Sequence, residues 1–393
     1  MGKREMPIGI QTFEKVIDND FAYVDKTAIM HQLASASGYY FLTRPRRFGK
    51  SLMMSTLKSY FEGRDDLFKG LAAEKLEPSK ENGGWQEHVV FHFDFSAGDY
   101  VHDALNALHD QVVACLKPIE EHCGIVAVDD KMAYNTRFTN AVKAATEKSG
   151  RKVVVLIDEY DKPMLQRLEK GEKEQEIVRT RLQGFYSALK PLDPYIRFAF
   201  LTGVTRFSQL SLFSDLNQLN DISFDKEYSA ICGITQGELE ANFAVEIEQL
   251  AKENSLTYAE TLAKLQVEYD GYDFTGAGVK VYNPFSTINV LAKREFSNYW
   301  FRTGTPSLLV REIQRTKFDI PDFENDIAES KDDIRDYRPG NDDIIPLLFQ
   351  TGYLTIKGIN KRNTQYILGF PNNEVKYGFF RFLANNRIAT QYL

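Results

Sequence analysis

The stretch that decides the fold is Tyr39-Tyr40-Phe41-Leu42-Thr43-Arg44-Pro45-Arg46-Arg47-Phe48-Gly49-Lys50-Ser51. A β-favouring run leads into a basic loop, Gly-Lys-Ser closes the loop, and apolar residues at helical spacing follow from Leu52. Strand, loop and helix in this order are the context of a phosphate-binding P-loop, the Walker A motif. In such a loop Gly49 lets the backbone approach a phosphate, Lys50 reaches the β- and γ-phosphates, and the Ser51 hydroxyl binds Mg²⁺.

The loop departs from the usual pattern at one position. That pattern has a glycine seven residues before the Ser or Thr, and this chain has Arg44 there. An ordinary solvated arginine-rich turn is therefore the alternative interpretation, whereas the cluster of Arg44, Arg46 and Arg47 favours anion capture. The nucleotide-binding residues predicted in the loop are Arg46, Arg47, Phe48, Gly49, Lys50, Ser51 and Leu52.

A second informative stretch is Val153-Val154-Val155-Leu156-Ile157-Asp158-Glu159. A continuous apolar run of this length is typical of a strand buried on both faces of a parallel sheet, and acids at its carboxyl end lie where ligands bind in such sheets. This is the Walker B pattern. Asp158 is predicted to hold Mg²⁺, mostly through water, and Glu159 to polarise the water that attacks the γ-phosphate.

A third stretch, residues 196–206, again looks like a buried strand that ends in polar residues. We expect it to lie between the P-loop strand and the Walker B strand and to carry a residue that senses the γ-phosphate, with Thr202 and Thr205 as candidates. Arg206 is a candidate to neutralise charge in the transition state, in cis or across a subunit boundary. The alternative is that Arg206 pairs with a surface acid. A fifth strand is predicted at 221–224.

Composition limits the class of protein. The chain has 393 residues, 43% hydrophobic and 26% charged, which indicates a globular protein of two or three domains. The net charge of -7 and the lack of a long basic tract argue against wholesale electrostatic binding of nucleic acid, but they leave a local basic patch open. Three cysteines without C-x-x-C spacing, no recognisable leader and no membrane-length apolar run predict a cytoplasmic location.

The predicted fold class is α/β: a three-layer α/β/α parallel sheet, then a mostly helical C-terminal domain and a small α+β tail. The boundaries place a P-loop domain at 1–232, a helical lid or winged-helix-like domain at 233–317, and an acidic connector with the tail at 318–393. Within these, a capping-box spacing at Thr235 predicts the start of a helical stretch, and the apolar periodicity fits helices near 235–252 and 257–268. A short strand is expected at 279–282.

Further motifs complete a collinear set from residue 7 to about 310. They are Pro7-Ile8-Gly9-Ile10-Gln11-Thr12-Phe13, Tyr23-Val24-Asp25-Lys26-Thr27, His92-Phe93-Asp94-Phe95-Ser96, Asp158-Glu159-Tyr160-Asp161, Leu201-Thr202-Gly203-Val204-Thr205-Arg206-Phe207-Ser208, Tyr282-Asn283-Pro284-Phe285-Ser286 and Tyr299-Trp300-Phe301-Arg302-Thr303-Gly304-Thr305-Pro306. Together with the loop they resemble the bacterial AAA-ATPase-like proteins, often fused to a PD-(D/E)XK-type nuclease domain. The resemblance implies a P-loop ATPase that uses ATP, and it makes Arg44 part of the family's own loop.

Longer members of that family continue into the nuclease domain, whereas no Asp…Glu-x-Lys strand pair follows Val375 here. We therefore expect no nuclease activity in this polypeptide. The leading hypothesis is a Mg²⁺-dependent ATPase that drives or gates a partner, such as a nuclease domain or DNA. A homo-oligomer is compatible with this hypothesis. The rival is a nucleotide-gated switch or scaffold with little turnover. A weaker third class is a small-molecule phosphotransferase that uses Asp94, although a structural Asp94 is favoured.

Overall fold

The computed structural model describes residues 4–125, 133–168, 170, 172–206, 216, 218–301, 307–316, 327–338, 340–360, 362 and 364–385. The chain divides into two compact units. We call Met1–Val24, Arg44–Leu52 and Ser223–Leu393 the loop unit, and Asp25–Thr43 with Met53–Ile222 the sheet unit. The predicted domain boundaries at 232 and 317 stay predictions.

The strands are β1 (Gly38–Thr43), β2 (Val90–Asp94), β3 (Val153–Asp158), β4 (Ile196–Gly203), β5 (Leu219–Asp221), β6 (Ile327–Glu329), β7 (Thr355–Asn360) and β8 (Gln365–Gly369). The helices are α1 (Phe13–Asp18), α2 (Thr27–Ser35), α3 (Lys50–Phe61), α4 (Ala72–Leu76), α5 (Ala104–Cys123), α6 (Tyr134–Ser149), α7 (Lys162–Arg167), α8 (Glu172–Ser187), α9 (Gln236–Glu253), α10 (Tyr258–Tyr269), α11 (Pro284–Lys293), α12 (Ser307–Thr316), α13 (Lys331–Arg335), α14 (Ile345–Gln350) and α15 (Asn373–Asn385).

The sheet unit is built on a five-stranded parallel sheet in the order β2-β3-β4-β1-β5. All six residues of β3 are buried, as their continuous apolar pattern predicted. β4 pairs with β1 on one side and β3 on the other, so the extra strand lies where it was expected. Helices flank this sheet, and the predicted α/β fold class is confirmed.

Helices α5 and α6 of the sheet unit are joined by a buried ion pair. The Arg137 guanidinium donates to both carboxylate oxygens of Glu120 at 2.7 Å. The two parallel N–H···O bonds replace hydrogen bonds to water, and they offset part of the cost of burying the guanidinium and the carboxylate. Phe138 of α6 packs against Phe93 of β2, with ring centroids 5.3 Å apart. Helix α6 therefore covers this part of the sheet.

The helices of the loop unit begin with strong local signals. Thr235 and Glu238 form a reciprocal capping box at α9, and Thr257 and Glu260 form another at α10. In each box the threonine hydroxyl accepts a backbone N–H while the glutamate accepts the N–H of the threonine. The predicted starts near 235 and 257 are thereby confirmed. In the described ranges no helix is long and apolar enough to cross a membrane.

Three local predictions were wrong in detail. The expected strand at 279–282 is reduced to two isolated bridges, Ile234 with Tyr282 and Tyr272 with Val281. The fifth strand is Leu219–Asp221, not 221–224. The connector expected at 318–343 contains β6, which pairs with β8, and α13, whose side chains include the buried Ile334. Its residues 318–326 and 339 lie outside the described residues.

Candidate functional site

Asp158 and Thr202 meet at the carboxyl edge of the parallel sheet. Asp158 ends β3 and is 2% exposed, and its Oδ1 accepts a hydrogen bond from Thr202 Oγ1 of β4 at 2.6 Å. The same oxygen accepts the Glu159 N–H at 3.0 Å. Hydrogen bonds to a carboxylate hold it in one orientation, so the two bonds accepted by Oδ1 also fix the position of Oδ2 of Asp158. Thr202, predicted to sense a phosphate, thus supports the predicted metal ligand.

Glu159 turns the chain sharply after β3. Its φ of +53° lies in the left-handed region, which a residue with a Cβ adopts at a cost on the order of 1–2 kcal/mol. The next residue anchors the turn, since the Tyr160 N–H donates to Thr202 O at 3.0 Å. The Glu159 side chain is half-buried. Strained residues of this kind cluster at functional sites.

Asp161 was missed as a site residue and organises the end of β4. Its Oδ2 accepts the N–H groups of Val204 at 3.0 Å and Thr205 at 2.7 Å, and the Thr205 hydroxyl at 2.8 Å. Gly203 is required beside it, because an added Cβ would lie 2.6 Å from Asp161 Oδ1. Thr205, a sensor candidate, is therefore fully buried in a structural role. The spacing of three residues after Asp158 was the signal available in the sequence.

Arg206 forms an ion pair with Asp221 at the end of β5. Their closest atoms, Nη1 and Oδ2, are 3.1 Å apart, and the Asp221 side chain is largely buried. The sequence left open a pairing of Arg206 with a surface acid, and the structure pairs it with this largely buried aspartate instead. A role in neutralising phosphate charge requires Arg206 to exchange this partner.

Asp94 lies directly opposite Asp158 in the register of β2 and β3. Its carboxylate accepts the Ser96 N–H at 2.8 Å and so caps the short turn at Phe95–Ala97. Asp94 is exposed. This cap accounts for Asp94 without a phosphotransfer role.

The basic loop 44–52 belongs to the loop unit and follows Thr43, the last residue of β1, in the chain. Helix α3 begins at Lys50, so the Gly49-Lys50-Ser51 sequence stands at a helix N-terminus, as predicted. Gly49 has a φ of +88°, which only glycine adopts without cost. Lys50 is 4% exposed, and its Nζ donates to Arg44 O at 3.0 Å and Pro45 O at 3.2 Å.

Arg44, the residue in place of the usual glycine, is a structural residue. It is 2% exposed, and its guanidinium donates to Ser223 O at 2.9 Å and Tyr228 O at 3.2 Å. The guanidinium carbon also lies 4.6 Å from the ring centroid of Phe274. The prediction that Arg44 helps to capture an anion is therefore wrong, because its guanidinium donates to backbone carbonyls instead.

The other loop side chains differ in their exposure. Phe48 is buried against Tyr272 and Phe274, with ring centroids 4.7 and 5.2 Å away, so this predicted nucleotide-binding residue packs inside the loop unit. Arg47 is exposed, and its guanidinium lies 4.1 Å from the ring centroid of Phe285. Desolvation, together with the neighbouring Arg46 charge, lowers the pKa of Arg47.

Each of the two predicted magnesium ligands, Ser51 of the loop unit and Asp158 of the sheet unit, carries an oxygen donor. The Ser51 hydroxyl lies in the first turn of α3, and the buried Asp158 carboxylate ends β3. Mg²⁺ in phosphate sites usually takes one or two protein oxygens and completes its shell with phosphate and water. In the described ranges no group of three or more His, Cys, Asp or Glu side chains is arranged to hold a metal.

Comparison with known proteins identifies the family. The model of the AAA-ATPase-like family, described as "Predicted AAA-ATPase", matches residues 7–213, which is more than half of the chain. A protein of Azotobacter chroococcum mcd 1, described as "Uncharacterized protein in vnfD 5'region", is 39% identical over 380 residues, covering 96% of this chain and 69% of that protein. Of the motifs, Phe207-Ser208 and the segment 302–306 lie outside the described residues. The chain belongs to the AAA-ATPase-like family, whose description implies a nucleotide-binding ATPase.

Proposed function

We propose that the protein binds ATP with Mg²⁺ and hydrolyses it, using Lys50, Ser51, Asp158 and Glu159. The observation that carries the proposal is the Thr202–Asp158 bond of 2.6 Å on strands β4 and β3, with β4 lying beside β1. A supported carboxylate at the carboxyl edge of a parallel sheet is placed where such sheets bind ligands. The strand that leads to Gly-Lys-Ser belongs to the same sheet.

Each residue has a role that follows from its chemistry. The Lys50 ammonium would exchange a bond to its own loop for a phosphate oxygen, and the N-terminal N–H groups of α3 favour an anion. Ser51 and Asp158 would hold the Mg²⁺, which when bound neutralises charge on the phosphates. The Glu159 carboxylate would accept a proton from the attacking water. Thr202 keeps Asp158 in place.

The Glu159→Gln variant tests the assignment of the base. We expect nucleotide affinity within about threefold of wild type and steady-state phosphate release at least about 100-fold slower, since a general base typically contributes a factor of 100 or more. Glu147→Gln, an exposed glutamate on α6, is the matched control and should turn over normally. Equal turnover in Glu159→Gln would remove Glu159 from the mechanism, and no phosphate release by wild type with Mg²⁺-ATP or Mg²⁺-GTP would overturn hydrolysis.

A second candidate is a nucleotide-gated switch with little turnover that regulates a nuclease or nucleic-acid partner. It is favoured by the Arg206–Asp221 ion pair, because the candidate arginine for transition-state charge is engaged elsewhere. A rapid-quench experiment separates the two. One phosphate released per chain without a steady state supports the switch, and DNA affinity that falls with salt supports the nucleic-acid partner. A cytoplasmic location and a homo-oligomer are compatible with both.

A further inference from the structure

We infer that Trp300 is a positioning residue for the nucleotide-binding loop and acts through the carbonyl oxygen of Arg46. The inference deepens the proposed function and rests on it. Trp300 is 1% exposed, and its indole Nε1–H donates to Arg46 O at 3.2 Å. Both residues belong to the loop unit. The motif around Trp300 otherwise has no part in the proposed chemistry.

The indole bond determines which way one peptide of the loop faces. In a trans peptide the C=O and the following N–H point in opposite directions. With Arg46 O held by Trp300, the Arg47 N–H is directed away from the indole. Arg47 itself is left-handed, with φ of +66°, a conformation that needs support from its surroundings. A loop that binds phosphate needs its N–H groups turned toward the anion and its carbonyls turned away from it.

The two preceding carbonyls are held in the same manner. Lys50 Nζ donates to both Arg44 O and Pro45 O. Three consecutive carbonyls of the loop therefore accept side-chain donors, and proline removes the only N–H that the first peptide would have. On binding a phosphate, the Lys50 ammonium would lose at least one of these two hydrogen bonds to the loop. The bond from Trp300 needs no such exchange, so it can hold the loop in both states.

Trp300 is itself fixed by α15 and α11. Its backbone N–H donates to Glu374 Oε1 at 2.8 Å, and Ser286 Oγ donates to Glu374 Oε2 at 2.7 Å. Glu374 and Ser286 are buried. Phe285, the residue before Ser286, makes a cation–π contact with the Arg47 guanidinium. One buried carboxylate thus ties together the donor to Arg46 and the helix that contacts Arg47.

The test compares Trp300→Phe with Trp85→Phe. Phenylalanine keeps an aromatic ring and removes the N–H, and Trp85 is the chain's other tryptophan, buried in the sheet unit against Phe68 with centroids 5.0 Å apart. Mg²⁺-ADP is titrated calorimetrically below the unfolding temperature of every protein. We expect Trp300→Phe to bind about threefold to tenfold more weakly, the worth of one hydrogen bond, and Trp85→Phe to stay within about twofold of wild type.

A second readout is one that a purely structural role would not change. In Trp85→Phe, Trp300 is the sole tryptophan. Its hydrogen bond persists in both states, but a charged nucleotide bound to the loop alters the electric field at the indole, so the emission of Trp300 should change saturably with Mg²⁺-ADP and follow the calorimetric isotherm. Equal affinity of Trp300→Phe and wild type, or binding without any change in Trp300 emission, would overturn the inference and leave the proposed function standing. Absence of nucleotide binding by wild type would overturn both.

Discussion

Arg44→Gly restores the glycine of the usual loop pattern, and we expect it to destabilise the protein. The substitution removes a guanidinium that donates to Ser223 O and Tyr228 O and lies over Phe274. Bonds from a charged donor contribute about 1.5–3 kcal/mol each, and a partly desolvated cation–π contact about 1 kcal/mol. Relief of the desolvation cost of a buried charge offsets part of this sum. The net loss in the free energy of unfolding is about 3–5 kcal/mol.

The assay is urea unfolding followed by circular dichroism, with the midpoint and slope fitted for each variant. Arg47→Gly is the matched control. It changes the same residue type in the same loop, but Arg47 is exposed and left-handed, so glycine relieves strain there. We expect its stability within about 1 kcal/mol of wild type. If Arg44→Gly also lies within about 1 kcal/mol of wild type, the structural account of Arg44 is refuted.

Three other perturbations probe the sheet edge and the core. Thr202→Val keeps the shape of the side chain and removes the donor to Asp158, so calorimetry should show Mg²⁺-nucleotide binding about tenfold weaker, and unchanged affinity would contradict the role of Thr202. Asp161→Asn weakens the three bonds held by one carboxylate oxygen and should lower the free energy of unfolding by about 2–4 kcal/mol in urea titrations, whereas a loss under about 1 kcal/mol would argue against this anchor. Burial raises the pKa of Glu374 to about 7. The folded form therefore retains a proton that the unfolded form releases near pH 4.5. The contribution of this proton to the free energy of unfolding is present at low pH and is lost as the pH rises through 7. Glu374→Gln should therefore gain about 2–3 kcal/mol relative to wild type between pH 5 and pH 8, and parallel stability profiles would contradict it.

Sequence patterns predicted the parts of the fold whose information is local. The continuous apolar run before Asp158 indicated a strand buried on both faces, and the Thr-x-x-Glu spacing at Thr235 marked a helix start. The Gly-Lys-Ser sequence indicated the helix that begins at Lys50. Each of these depends on neighbours in the chain and on backbone rules that hold in any protein.

The misjudged features depend on partners far away in the chain. Nothing near Arg44 indicates that its guanidinium meets Ser223 O, and nothing near Trp300 indicates a bond to Arg46. The run 279–282 has the residue types of a strand, but strand formation also needs a partner, and only isolated bridges formed. Side-chain bonds between distant segments follow no periodicity, so they become visible only in three dimensions.

The order of strands in the sheet also has a consequence for folding kinetics. β1 pairs with β4, for instance Phe41 with Leu201, although β2 and β3 lie between them in the chain. Closing so long a segment is slow, whereas the capped helices α9 and α10 can form from local contacts. The Thr202–Asp158 bond joins β4 to β3 at the same edge of the sheet. A ligand that binds only the complete sheet edge would act after the main folding barrier, and its signature would be slower unfolding with the refolding rate unchanged.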